Sequence, residues 1–337
     1  MNASLSLHLR RILGATACAV AGALVVLAAS PAQAAEKLVV RMDFSPWGLH
    51  GAMHLAQVKG WFADAGLEVE VQDGMGSINT LQLLGSGKAD VGQVSVGTMA
   101  VAKENGLDLV SVAGFARTGD LAVMVDEKLG VKTPRDLIGK KIDCFTASPW
   151  APFIEPFFKA NNIQKSEVSV VMVAPTAMIS TYASGNTDGF MSQAPFGLPM
   201  VKATRPATAL LLADSGIAFP SYGLVTTPDA LTTKRAAIRK LVDIQVRAWK
   251  YIYDGHVDEA VAAIVARRPN ANLNPEVLAG QITAYRPFFD SPTNKALPIG
   301  LQSDPDWADA IKSMEVAGLL KPGHKPSDFY TNALLEN

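Results

Sequence analysis

Apolar positions along this chain recur with two periods that take turns. Leu38-Val39-Val40 is a short continuous apolar run, and Leu67-Glu68-Val69-Glu70-Val71 alternates with period two, as a strand with one buried face does. Between them Ala52 to Lys59 is helix-like and stops at Lys59-Gly60, glycine being a common helix terminator. Ser77 stands where it could cap a helix over Ile78 to Leu84, and Gly85 to Gly92 closes that helix and enters another strand. Ser95 to Thr98 opens a third helix, and Leu109 to Ala113 is a fourth strand. Strands and helices alternate throughout, which predicts a parallel α/β sheet.

A second α/β unit begins after Gly114-Phe115-Ala116-Arg117-Thr118-Gly119. It contains strands at Leu121 to Val125, Lys141 to Phe145, Val168 to Val173 and Asp188 to Met191, with a helix predicted from Ser148-Pro149 to about Asn161. The run Tyr222 to Thr227 then leads back, and from Pro228 onward the pattern is mainly helical. Two strand-like crossings with an α/β unit between them predict two α/β lobes joined by a two-segment hinge. Lobe 1 is expected at 35–118 and 225–337, and lobe 2 at 119–224. A cleft between two such lobes can close on a small molecule.

The loop Asp43-Phe44-Ser45-Pro46-Trp47-Gly48-Leu49-His50-Gly51 follows the first strand, where the ligand sites of open α/β sheets gather. Phe44 and Trp47 offer stacking faces, and the glycines allow close backbone approach; the alternative is an ordinary connection whose Trp47 packs on its own lobe. His50 could hydrogen-bond a ligand. His50 and His54 are four apart, but no cysteine or clustered carboxylate joins them, so no metal is expected. Ser77, Thr98 and Ser148 mark helix starts whose amides suit a carbonyl or anion, or are plain caps. Trp150 reads as a second stacking wall or as core. Arg117 and Tyr222, at the two crossings, read as ligand partners or as hinge residues.

The N-terminus changes the picture of where the chain works. Arg10 and Arg11 precede an apolar stretch from Ile12 to Ala29, and Ala32-Gln33-Ala34 supplies small residues for cleavage, so residues 1–34 are expected to be a signal peptide. The apolar stretch continues past Cys18, which argues against lipidation there. Removing that segment takes two of the 30 Lys+Arg and none of the 31 Asp+Glu, leaving 28 against 31 and a charge of −3. With no basic cluster, nucleic acid and anionic membrane surfaces are not expected as partners. Cys144 is left unpaired, so no internal disulfide can form. The chain lacks a G-x-S-x-G elbow, a G-x-x-x-x-G-K-[ST] loop and an H-E-x-x-H motif.

Four stretches in order carry a family resemblance. Asp43…Pro46…His50-Gly51 runs on to Leu55-Ala56…Lys59-Gly60-Trp61-Phe62 and Gly66-Leu67-Glu68-Val69. Gly87-Lys88-Ala89-Asp90-Val91-Gly92, Thr133-Pro134-Arg135-Asp136-Leu137-Ile138-Gly139-Lys140-Lys141-Ile142 and Gly185-Asn186-Thr187-Asp188-Gly189 follow. Together they resemble the periplasmic substrate-binding proteins of ABC importers, in the branch that handles thiamine-precursor pyrimidines, sulfonates, nitrate and riboflavin-like compounds. The resemblance implies a type II periplasmic binding-protein fold, a periplasmic location, and a monomer that delivers a small-molecule solute to an ABC permease complex in the inner membrane. It implies no enzyme activity and no cofactor. Pyrimidine binders of that branch usually carry Asn between the Pro and His, where this chain has Trp47-Gly48-Leu49. With Phe44, Trp47 and Trp150 near the expected cleft, the ligand is read as a small planar heterocyclic or aromatic solute. Alkyl sulfonates or nitrate-like anions, and an exported enzyme on the same fold, are the alternatives.

Overall fold

The structure, a computed structural model, describes residues 35–335; the expected signal peptide lies outside the described residues. The chain enters on strand β1 (Glu36–Met42), with Leu38, Val40 and Met42 buried on one face. A single 3-10 turn, Gly48–His50, leads into helix α1 (Gly51–Val58), short α2 (Trp61–Asp64) and strand β2 (Leu67–Gln72). Helix α3 (Ser77–Gly85), strand β3 (Val91–Ser95), helix α4 (Val96–Glu104) and strand β4 (Val110–Ala116) follow.

The second unit comprises β5 (Leu121–Asp126), β6 (Lys141–Cys144), α5 (Ile154–Ala160), β7 (Ser169–Met172), α6 (Met178–Ala183), β8 (Gly189–Gln193), α7 (Ala194–Val201) and β9 (Ala207–Leu211). The chain then returns on β10 (Tyr222–Thr226) and continues as helices α8 (Pro228–Thr233), α9 (Arg235–Tyr253), α10 (Val257–Arg267), α11 (Pro275–Tyr285) and α12 (Asp304–Val316).

These strands form two five-stranded sheets, in the orders β2-β1-β3-β10-β4 and β7-β6-β8-β5-β9. The expectation of a purely parallel sheet is corrected: β10 runs antiparallel between β3 and β4, and β5 runs antiparallel between β8 and β9. The reason is connectivity. Each of these strands is reached by crossing from the other lobe, so it enters its sheet from the opposite end. The crossings lie side by side, with the Ser221 amide donating to the Ala116 carbonyl at 2.9 Å.

Three helix starts also differ from the sequence reading. Gly76, not Ser77, holds the cap position of α3, and the Ser77 hydroxyl instead accepts from the Ser95 amide at 3.2 Å. Ser95 caps α4, which leaves Thr98 inside its first turn. Ser148 folds a turn of its own by accepting from the Trp150 amide, and α5 begins only at Ile154, after a 3-10 turn containing Pro152. The longest helix among the described residues, α9, buries Ile238, Leu241, Val242, Trp249 and Ile252 against α1 and β1, at spacings that keep them on one side. Each such aliphatic side chain contributes about 1.5–3 kcal/mol.

Candidate ligand-binding site

The residues after β1 are held by one carboxylate. Asp43 Oδ1 accepts from His50 Nε2 at 2.7 Å and from Trp47 Nε1 at 3.2 Å, while Oδ2 accepts from the Tyr222 hydroxyl at 2.8 Å. Tyr222 in turn accepts from Gln193 Nε2 of the opposite lobe at 2.6 Å. Asp43, Trp47, His50 and Tyr222 are all buried, so this network fixes the loop and ties it across the cleft. Burial, reinforced by the charges of Asp43 and Asp120, holds the Tyr222 hydroxyl far above the usual tyrosine range, so it stays a proton donor.

Beside it Asp120, at the end of the first crossing, accepts hydrogen bonds from Ser221 on the second crossing and from Tyr285 at the end of α11. Burial pushes this carboxyl up to about 6, against the pull of those two hydrogen bonds. A single side chain thus links both crossings to the C-terminal helices.

Aromatic rings close the cleft from both sides. Phe44 stacks on Phe145 with centroids 5.5 Å apart and meets Phe196 edge-on at 5.9 Å. Trp47 meets Phe196 edge-on at 5.3 Å and also contacts Tyr222 and Tyr285. Gln281 on α11 spans the gap, accepting from the Gly48 amide at 2.8 Å and donating to the Phe196 carbonyl at 3.1 Å. Gly76 lies so near the other lobe that a Cβ there would stand 2.1 Å from the Ala147 carbonyl oxygen.

Next to these rings is a cavity of about 500 Å³, within the size range of small-molecule sites. Lobe 1 contributes Phe44, Ser45, Pro46 and Trp47 from the first loop and the turn and helix from Ala271 to Gln281; lobe 2 contributes Met178, Ile179, Phe196 and Met200 with Pro175 and Thr176. Among the described residues, no lysine, arginine, histidine, aspartate, glutamate or cysteine lines it. The cavity can hold a flat apolar body, and its polar groups are uncharged hydroxyls and amides.

The residues singled out from the sequence therefore separate. Phe44 and Trp47 line the cavity, and His50 and Tyr222 support them through Asp43. The hydroxyl of Thr98 lies 3.2 Å from the Pro149 carbonyl of the other lobe, a contact between lobes. Ser77 and Ser148 are spent on backbone amides.

Trp150 is turned into the core of lobe 2, edge-on to Phe157, with its indole N–H on the Ser192 carbonyl at 3.0 Å. Arg117 is held by the carbonyls of Phe289, Leu297, Pro298 and Leu301 at 2.7–3.2 Å. It clamps the segment before α12 and does not line the cavity.

His54 is buried with no partner for either ring nitrogen, and burial lowers it to about 3, so its imidazole is neutral. Burial pushes the Cys144 thiol up to about 11, which keeps it from acting as a thiolate. Among the described residues no group of three or more His, Cys, Asp and Glu could hold a metal ion, and no helix is long and apolar enough to cross a membrane. Sequence reasoning passed over Tyr285, Asp120, Phe145 and Gln281. Asp43 alone carried a signal, as the first residue of the Asp…Pro…His pattern.

Two mixed α/β lobes with a twice-crossed connection and a cavity between them make up the periplasmic binding-protein fold. Solved structures with this fold include a protein from Bordetella bronchiseptica RB50, 23% identical with a TM-score of 0.69 over 90% of this chain and 96% of that one. Another is the alkanesulfonate-binding protein SsuA from Xanthomonas axonopodis pv. citri bound to MOPS, 15% identical with a TM-score of 0.64 over 88% of this chain and 98% of that one. The NMT1/THI5-like family model matches residues 47–259, and the chain belongs to that family.

Among curated proteins it is 28% identical to the formylaminopyrimidine-binding protein of Halalkalibacterium halodurans over 39% of this chain and 38% of that protein. It is 29% identical to the 4-amino-5-hydroxymethyl-2-methylpyrimidine phosphate synthase THI11 of Saccharomyces cerevisiae over 32% of each. Both matches span well under half of the relative's length.

Proposed function

We propose that this chain is the extracytoplasmic solute-binding component of an ABC importer and that its ligand is a small, uncharged planar ring, a nitrogen heterocycle or an aromatic. The observation that carries this reading is the cavity between the lobes, walled by Phe44, Trp47 and Phe196 and, among the described residues, free of ionisable side chains. Offset or edge-on aromatic contacts add about 0.5–1.5 kcal/mol each beyond area burial. A sulfonate or nitrate ion brought into the same space would meet no cation to offset its lost hydration. Each relative's description names a pyrimidine, a flat ring, which supports this reading.

An exported enzyme on this fold is the second reading, favoured by the yeast relative's description as a synthase. Against it stand the protonated Cys144 thiol and, among the described residues, a cavity lining without cysteine or titratable base. A thermal-shift screen of the purified protein with pyrimidines, flavins, aromatic acids, alkyl sulfonates and nitrate tests the proposal. Neutral rings are expected to raise the melting temperature and to be recovered unchanged. Stabilisation by the anions alone, or steady conversion of a ring, would overturn it.

A further inference from the structure

The cavity has an apolar side and a polar rim, and the rim's side chains differ in whether they are already hydrogen-bonded to the protein. Gln281 is spent: its carbonyl takes the Gly48 amide and its NH₂ group binds the Phe196 carbonyl. Asn274 is half spent, since its Oδ1 accepts from the amides of Glu276 and Val277 as the cap of α11. Among the described residues no side-chain hydrogen bond to the protein is made by half-buried Ser45 or by Thr176 and Asn272, which are exposed, and all three line the cavity. They come from three separate segments: the loop after β1, the entry to α6 in the other lobe, and the turn between α10 and α11.

Asn272 also holds a backbone that L residues seldom adopt, φ 48° and ψ 44°. Glycine is the residue usually found there; asparagine is among the few others that tolerate it. The turn is thus occupied by a residue that retains a carboxamide at the cavity where glycine would leave none. Two hydroxyls and a carboxamide supply both donors and acceptors without charge.

We propose that Ser45, Thr176 and Asn272 are the specificity-determining residues of this site, reading a donor–acceptor edge on a neutral ring while Phe44, Trp47 and Phe196 hold its faces. The inference rests on the ligand reading above and narrows it to rings that carry adjacent amino, amide or hydroxyl substituents. Plain aromatics fill the same space but leave the rim with water alone. Because Thr176 belongs to lobe 2 while Ser45 and Asn272 belong to lobe 1, a ligand that satisfies all three bridges the lobes.

The test uses calorimetric titration of the full chain with two probes of similar shape, 4-amino-5-hydroxymethyl-2-methylpyrimidine and 2,5-dimethylpyrimidine. The variants are Asn272→Gly, which removes the carboxamide and keeps the left-handed turn, and Thr176→Val, which removes the hydroxyl at constant shape. Each is expected to weaken the substituted ring by roughly threefold to tenfold, one lost hydrogen bond, and to leave the dimethyl ring within about twofold. Equal affinity of wild type and both variants for the substituted ring would overturn the assignment while leaving the planar-ligand reading intact. Failure of both rings to bind the wild type would overturn that reading and the assignment with it. Circular dichroism of the variants separates loss of fold from loss of contact.

Discussion

The Tyr222 hydroxyl donates to the Asp43 carboxylate across 2.8 Å, joining residues 179 positions apart in the chain. Through Gln193 the same hydroxyl reaches lobe 2, so the loop that carries Phe44 and Trp47 is held in register with the opposite wall of the cavity. The rigidity of that loop is a tertiary property, supplied by a strand that arrives only after the chain has built its second lobe.

Tyr222→Phe should therefore do more than remove one bond. It leaves one Asp43 oxygen without its donor and Gln193 without its acceptor, in a site shielded from water. A loss of about 1–3 kcal/mol in urea unfolding is expected, with weaker ring binding. Stability and affinity both equal to wild type would show that the network is not structural.

Asp120 gives the chain a pH signature. Burial raises its carboxyl to about 6, whereas an unfolded aspartate titrates near 3.9. Between these values the folded chain keeps a proton that the unfolded chain has released. The stability this group contributes is full below about pH 4 and is lost as the pH rises through about 6. Asp120→Asn removes the titration. The unfolding free energy of wild type relative to that variant should fall by up to roughly 3 kcal/mol from pH 4 to pH 7. A difference that stays flat with pH would mean that Asp120 is ionised in the fold.

Arg117 is expected to matter for folding and not for ligand. Arg117→Lys loses the planar fork that reaches four carbonyls and strands several of them. A cost of about 2–4 kcal/mol in denaturant unfolding is expected, with ring affinity of the folded fraction unchanged. Selective loss of binding with normal stability would return Arg117 to the ligand site.

Gly76→Ala places a methyl group against the Ala147 carbonyl at a backbone φ of 120°. The lobes must separate or the loop must distort, at a cost above about 1 kcal/mol. Small-angle scattering should report an expanded chain that ligand compacts less than it compacts wild type. Identical profiles for the two proteins would contradict the close approach of the lobes at this point.

Alternation of strand and helix and the ordered motifs made the architecture readable, because those signals are local. Half of the site was readable for the same reason: Phe44 and Trp47 sit in one loop behind a strand, within the Asp…Pro…His pattern. Trp150 and Arg117 looked equivalent to them because a sequence shows an aromatic or a charge without its surroundings. Trp150 finds Phe157 and the Ser192 carbonyl, and Arg117 finds carbonyls 172 to 184 residues further on. Tyr285 and Gln281 escaped notice for the converse reason. They occupy ordinary positions on a C-terminal helix, and packing of α11 against α7 and the Gly48–His50 turn brings them to the cleft.

The central claim is that an uncharged ring binds in the cavity beside Phe44, Trp47 and Phe196. Calorimetric titration of wild type and Phe196→Ala with 4-amino-5-hydroxymethyl-2-methylpyrimidine, methanesulfonate and nitrate tests it most directly. One equivalent of the ring should bind, Phe196→Ala should weaken it by about tenfold, and neither anion should compete. Tighter binding of either anion than of the ring, or ring affinity indifferent to loss of Phe196, would contradict the account.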